Sequence, residues 1–465
     1  MQLKFIKSMT MKLVTNKITY ILLANILLFF NCNSDKKSQQ NISDSSQIQQ
    51  LTDEQLLDSV QKQTFNYFWE GAEPNSGMAR ERLHLDGDYP QNDATVVTTG
   101  GTGFGLMAII VGVERGFITR QQALERFETI VDFLDKADRF HGVWPHWLEG
   151  TTGKVKPFSK KDDGGDLVET AFLIQGLLTV SEYFKNGNAQ EQQLVAKIDK
   201  LWREVEWSWH TKGGEDTLYW HWSPNYNWEM NFPVGGYNEC LIMYVLAAAS
   251  PTYPIDKAVY DKGWALDGKI VSKDSLYGEP LVLNYFEHDD APIGPLFWAH
   301  YSYLGLNPKG LKDQYADYWT LTQNHAKIHY NYAVDNPENY KGYGENLWGL
   351  TSSYSINGYA GHRPGDDHGV ISPTAALSSF PYTPKESMQM LRYMYQSQDS
   401  LIGKYGPYDA FSLHHNWSLP RYLAIDQGPI PVMIENYRTG LLWDLFMKNQ
   451  DVQNGLKRLE FTFGS

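Results

Sequence analysis

The chain has 465 residues, with 40 Lys and Arg against 54 Asp and Glu for a formal net charge of −14. That balance excludes nucleic acid as a partner, since phosphate binding needs a basic surface, and offers no attraction to an anionic membrane face. Charged residues at 20% and hydrophobic ones at 42% exclude a disordered chain, while the aromatic share of 14% fits either sugar stacking or a Tyr- and Trp-rich core.

Lys4, Lys7, Lys12 and Lys17 precede an apolar run from Ile18 to Phe30. The run is too short for a membrane span of ~20 residues and suits the core of a signal peptide. Leu28-Phe29-Phe30-Asn31-Cys32 resembles a bacterial lipoprotein cleavage region, so residues 1–31 are expected as signal and Cys32 as the lipidated residue. Residues 32–50, rich in Ser, Asn and Gln and without an aromatic, read as a flexible tether. The expectation is a monomer in the bacterial periplasm or on the cell surface, touching the membrane only through its lipid. Cys240 is the one other cysteine, so no disulfide framework is expected.

From Leu51 onward the spacing of apolar residues is helical. It predicts a helix behind Thr52-Asp53, then Gly103–Arg115 with Thr119–Lys136, and Asp166–Tyr183 with Asn188–His210. Further helices are predicted over Tyr237–Ala249, Pro292–Leu304, Lys312–His329, Pro373–Phe380, Pro384–Tyr395 and Pro429–Met447. Lys269–Ser275 and Leu281–Phe286 read as rim hairpins. Paired helices without a fixed repeat argue against a solenoid and for a closed ring of hairpins, an all-α toroid. No linker divides residues 51–465, which are expected as one domain.

The loops carry the chemistry. Gly100, Gly101, Gly103 and Gly105 lack the Lys-Ser/Thr of a phosphate loop and the βαβ setting of a dinucleotide fold, which leaves a close approach of loop and helix. Asp162, Asp163, Asp166 and Glu169 cluster at a predicted helix start. Asp166 and Glu169 share one face, and Asp166 is equally readable as a cap. Trp144 and Trp147 lie upstream of these acids, and Trp220, Trp222 and Trp228 fill an aperiodic loop. That loop leads through Tyr237 to Glu239, at the head of a strongly apolar helix. These Trp residues are expected as sugar-stacking walls. Glu239 reads either as a general acid or as a structural helix-start residue. Arg363, Asp366, Asp367 and His368 suit hydroxyl recognition or an ordinary polar loop, and Asp426 stands alone before a Gly-Pro helix start. Asp86-Gly87-Asp88 with Asn92 and Asp93 misses EF-hand spacing, and neither HExxH nor CxxC occurs, so no metal is expected.

Five segments then stand out together: GFGLMAIIVGVERGFITR (103–120), GGDLVETAFLIQGLL (164–178), PVGGYNECLIMYVLAAASPTYPI (233–255), NGYAGHRPGDDHGVISPTAALSSFPYTP (357–384) and AIDQGPIPVMIENYRTGLLW (424–443). They resemble the glucoamylase-like family, within carbohydrate enzymes glycoside hydrolase family 144, over nearly the whole chain after the tether. The resemblance implies an (α/α)6 toroid and inverting hydrolysis of β-1,2-glucan, either endo-acting or releasing sophorose from chain ends. It implies no cofactor. It carries the family's acids onto Asp162, Asp166, Glu169 and Glu239, with Asp426 as an addition, and an oligo- or polysaccharide as the partner. Trp144, Trp147, Trp220, Trp222, Trp228, Tyr237 and Arg363 are the expected sugar contacts. The rival readings are a non-catalytic glycan-binding lipoprotein, a glycosidase of another linkage, and a polysaccharide lyase, whose uronate substrate would call for basic residues.

Overall fold

The computed structural model describes residues 51–285 and 293–464. The signal peptide, Cys32 and the tether lie outside the described residues. The helices are α1 (Asp53–Trp69), α2 (Thr99–Glu114), α3 (Arg120–Leu134), α4 (Leu167–Phe184), α5 (Ala189–Arg203), α6 (Leu241–Ala249), α7 (Tyr318–Asp335), α8 (Pro373–Leu377), α9 (Pro384–Ser397), α10 (Ala424–Gln427), α11 (Pro429–Arg438), α12 (Leu441–Met447) and α13 (Gln450–Arg458).

Burial sorts them into two layers. In α2 every residue from Thr99 to Gly112 is buried, and α4 and α6 are almost as enclosed. Such all-round apolar helices must lie inside. In α3, α5 and α9 only one stripe is buried, as an outer layer requires. Inner neighbours run α2 to α4, α4 to α6, α6 to the short turn Tyr301–Tyr303, then α8 to α11 and α11 back to α2. His300 Nε2 lies 2.9 Å from Ser379 Oγ, and the Tyr382 hydroxyl donates to the Ala299 carbonyl at 2.9 Å, which joins the turn to the segment after α8. The ring therefore closes as an (α/α)6 toroid. Capping boxes fix three outer starts, Thr52 with Gln55, Thr119 with Gln122, and Asn188 with Glu191.

The closest approach in the ring comes from the glycine-rich segment. A Cβ on Gly103 would overlap the Phe172 carbonyl, and one on Gly176 would overlap the Gly103 carbonyl, so α2 and α4 meet backbone to backbone. Short antiparallel ladders join the loops at the N-terminal ends of the inner helices. Val96–Thr98 pairs with Trp147–Glu149, Gly165–Asp166 with His221–Trp222, Arg82–His84 with Arg421–Leu423, and Ser352–Ser355 with Gly358–Gly361.

Several predicted bounds differ. The expected helix Pro292–Leu304 shows only the 3-10 turns Leu296–Ala299 and Tyr301–Tyr303 among the described residues. Pro429–Met447 breaks at Gly440, whose left-handed φ of 77° ends one helix and starts another. Lys312–His329 starts late, at Tyr318 behind the Asp317 cap. The C-terminal helix α13 went unpredicted.

Candidate active site

Asp166, Glu169 and Glu239 sit at the N-terminal ends of inner helices, where unpaired N–H groups favour negative charge, and Asp162 lies in the loop four residues ahead of Asp166. Asp166 caps α4: its Oδ1 accepts the Glu169 N–H at 2.9 Å, and its Oδ2 lies 2.9 Å from His146 Nδ1. Glu169, in the first turn, accepts the Gly100 N–H at 2.8 Å, so the α2–α4 approach places this carboxyl. Asp162 Oδ2 lies 3.3 Å from His221 Nε2, which is itself 3.7 Å from Asp166 Oδ2. The loop bearing Asp162 is tied down by Asp163, which accepts hydrogen bonds from Ser223 Oγ and Asn225 Nδ2. Glu239 occupies the turn before α6, where the Ser302 hydroxyl donates to its carbonyl and accepts the Ile242 N–H.

The electrostatics follow from this packing. Enclosure alone would lower the His146 pKa, but Glu169, Asp166 and Asp162 around it push it up to about 10, so the ring is a cation at neutral pH. Burial pushes Glu169 up to about 7, against the pull of His146 and the Gly100 N–H. Burial opposes ionisation of Asp166 too, yet its hydrogen bond to His146 and that ring's charge hold it below the usual range. Among the described residues, only His146, Asp162 and Asp166 bring three donor atoms within 4.8 Å of one another as a metal would need. A protonated imidazole has no lone pair to offer a cation, and Asp166 is already engaged with it, so the trio is an ion-pair network.

These side chains face two adjoining chambers, of about 690 and 410 Å3, whose linings share His146, Phe158, Trp220, Glu239, Phe297 and Ser352. The volumes are those of a small-molecule or sugar site. Glu239, 9% exposed, stands at their junction. Trp147 and Glu169 border the larger chamber; Asp162 and Arg363 border the smaller. Arg363 is paired with Asp366 at 2.8 Å and lies over the Tyr285 ring.

Other expected residues fall elsewhere. Trp144 is fully buried: its indole N–H donates to the Leu134 carbonyl at 3.1 Å and Arg139 covers its ring, so it locks the loop onto α3. Trp222 packs on Phe140 and His141, and Trp228 on His210, Tyr219 and Trp209; neither borders a chamber. Tyr237 is buried behind Glu239, its hydroxyl 2.8 Å from His325 Nδ1. Asp426, 2% exposed, lies behind the wall formed by its neighbours Leu423 and Ile425. Of the polar loop, Asp367 is held by the Tyr332 and Tyr343 hydroxyls, a structural role. Asp86 and Asp88 pair with Arg421, and Asp93 with Arg82. The sequence reading missed Glu81, Phe158, Tyr301, Tyr354, Tyr359 and Trp417, which line the larger chamber. Phe158, four residues ahead of Asp162, and Tyr359, inside the segment 357–384, lie near motifs that signalled them; the other four do not.

A closed helical ring, open at one end onto a cleft walled by aromatic rings with carboxyls at the helix starts, is the architecture of the α/α-toroid glycosidases. The Glycoamylase family model matches residues 231–450. The chain is 61% identical to an endo-β-1,2-glucanase from Chitinophaga pinensis, solved with sophorotriose and glucose; the match covers 89% of this chain and 99% of that one, with a TM-score of 0.87. It is 46% identical to an exo β-1,2-glucooligosaccharide sophorohydrolase (non-reducing end) of Parabacteroides distasonis over 88% of this chain, and it spans 58% of that protein's length. An endo-β-1,2-glucanase from Talaromyces funiculosus, 13% identical over 90% of this chain and 94% of that one, shares the fold at a TM-score of 0.60. The chain belongs to the glucoamylase-like family of β-1,2-glucanases, glycoside hydrolase family 144.

Proposed function

We propose that this chain hydrolyses β-1,2-glucan within the polymer, with inversion at the cleaved carbon. The observation that carries the reading is Glu239 at the junction of two chambers, in a chain 61% identical to an endo-acting enzyme along nearly all of that enzyme's length. A site with room on both sides of its acid favours a chain running through, hence endo action.

In this reading Glu239 protonates the glycosidic oxygen while a water attacks the opposite face of the sugar. Asp166 has both carboxylate oxygens engaged, by the Glu169 N–H and by His146, so it orients those groups rather than taking a proton. Glu169 and Asp162 hold hydroxyls of the sugar, and Trp147, Trp220 and Arg363 contact its rings and edges. The substrate is uncharged, so the acidic surface costs nothing in encounter. The apolar run Ile18 to Phe30 and Cys32 support anchoring through lipid on Cys32 at the periplasmic or outer surface, and the chain is proposed to act as a monomer.

Linear β-1,2-glucan tests the reading. The expected products are a ladder of oligosaccharides from the first minutes. Glu239→Gln, which keeps size but removes the transferable proton, is expected to lower kcat on the order of 10²-fold or more, with KM little changed. Sophorose as the sole early product would instead mean exo action. Binding without new reducing ends would mean a glycan-binding protein.

A further inference from the structure

Trp222 and Trp228, which border neither chamber, belong to a second aromatic group with Trp209 and His141. The His141 ring stacks on the Trp209 indole at 3.9 Å between ring centres and 13° between planes, and Trp222 meets His141 edge-on at 5.1 Å and 88°. Trp228 lies 6.3 Å from Trp209 and is itself braced by His210 and Tyr219. The backbone is bent to make this group. The 3-10 turn Trp207–Thr211 sends Trp207 and His210 fully inside and leaves Trp209 40% exposed. His141 has a left-handed φ of 54°, a costly conformation for a residue with a Cβ, and at Gly142 a Cβ would overlap the Glu204 carbonyl. The His141 carbonyl accepts the Glu206 N–H at 3.0 Å, and the Glu206 carboxylate lies 3.0 Å from His141 Nδ1. That carboxylate sets the orientation of the ring and, with its side chain 35% exposed, still offers lone pairs to solvent. The nearby cation Lys212 is tied to Asn231 Oδ1 at 2.6 Å. His221 and Trp222 are neighbours on one strand, so their side chains take opposite faces: His221 borders the smaller chamber, and Trp222 points to the aromatic group. The group therefore lies on the outside of a wall whose inner side is the cleft.

We propose that Trp209, backed by His141 and flanked by Trp228, is a second glucan-binding site that holds a stretch of the polymer outside the cleft. The proposal rests on the β-1,2-glucan reading above. The indole surface left uncovered by His141 and Trp228 packs against the C–H face of a pyranose, and the Glu206 carboxylate accepts from its hydroxyls. The ligand this suits is uncharged: Lys212 is already engaged, and the carboxylate beside the ring repels a phosphate or a uronate. A long chain reaches both sites at once, so the outer contact raises the effective concentration of polymer at the cleft. A short oligosaccharide that only fills the two chambers gains nothing from it.

Native electrophoresis through gels containing linear β-1,2-glucan tests the site in the Glu239→Gln protein, which is expected to leave the polymer intact. Adding Trp209→Ala is expected to weaken retardation about fivefold, whereas Trp209→Phe, which keeps a ring, retains most of it. With Glu239 in place, Trp209→Ala is expected to lower kcat/KM on the polymer about fivefold at unchanged kcat, and to leave turnover of short oligosaccharides as in the wild type. A merely structural role for Trp209 would lower the rates on both substrates together. The intact site is read directly in Glu239→Gln protein carrying fluorotryptophan: the fluorine resonance that Trp209→Phe removes is expected to shift when polymer is added. Equal retardation with and without Trp209, a fluorine resonance that polymer leaves unmoved, or a loss shared equally by polymer and short oligosaccharides would each overturn the proposal. Trp209-dependent binding to phosphatidylcholine vesicles without retardation by glucan would overturn it too, and would make the group a membrane contact. If the wild type does not cut β-1,2-glucan, only the hydrolytic reading falls, because retardation and the fluorine shift need no turnover.

Discussion

His146 is where the site's charges meet, and its protonation has a measurable consequence for stability. Its side chain is 21% exposed where it borders the cleft, with Phe158 packed over it at 4.3 Å between ring centres. The folded pKa, about 10, lies above the ordinary value of 6.5. A raised folded pKa means that the native state holds a proton the unfolded chain releases, so the stabilisation is complete below pH 6.5 and disappears as pH rises through about 10. His146→Gln keeps a hydrogen-bond donor for Asp166 but no charge. The expected outcome is that wild type exceeds this variant in unfolding free energy most strongly near pH 6, and that the gap narrows steadily to pH 10. A gap independent of pH over that window would show that the ring is neutral in the native state. A second outcome follows from the same network. Without the imidazolium, Glu169 loses its strongest opposing cation, and its pKa, already pushed up by burial, is expected to rise further.

Among elements, the inner helices were the most legible, because an apolar residue at nearly every position of Thr99–Glu114 or Leu241–Ala249 admits no surface location. Their junctions were less so. Gly440 is one glycine among 39, and nothing local marks it as the left-handed residue that splits Pro429–Met447. The acids were legible because helix starts select carboxylates, and the Asp166 cap and the Asp166–Glu169 spacing both appear in the structure. The aromatic walls were not. A Trp in an aperiodic loop can face a cleft, as Trp147 and Trp220 do, or plug a gap, as Trp144 does, and that choice depends on partners far away in sequence. The glycine contact between α2 and α4 is where an element-scale test belongs. Gly103→Ala drives a methyl into the Phe172 carbonyl, and overpacking of this kind costs about 1–3 kcal/mol or more. Separating the helices also draws Gly100 away from Glu169. Lower urea midpoint together with lower kcat is the expected result; an unchanged midpoint would mean that the helices part without cost.

At the scale of the whole molecule, catalysis and location are separable. The toroid closes on itself within the described residues, from α1 packed on α2 and α11 through to α13 packed on α6, and none of its helices is long and apolar enough to cross a membrane. The net charge of −14 adds no attraction to an anionic lipid surface. We propose that membrane association comes from covalent lipid on Cys32, which follows the apolar run Ile18 to Phe30. Acyl chains contribute roughly 0.8 kcal/mol per buried CH2, and stable anchoring takes more than one chain or a second signal, which a fully processed lipoprotein cysteine provides. Cys32→Ser leaves every residue of the toroid unchanged. Its expected outcome is transfer of the protein from the membrane to the soluble fraction, with the same melting temperature and the same turnover per molecule on β-1,2-glucan oligosaccharides. Retention of Cys32→Ser in the membrane fraction would rule out the lipid anchor. Loss of turnover in the released protein would show that the segment before Leu51 contributes to the site as well as to location.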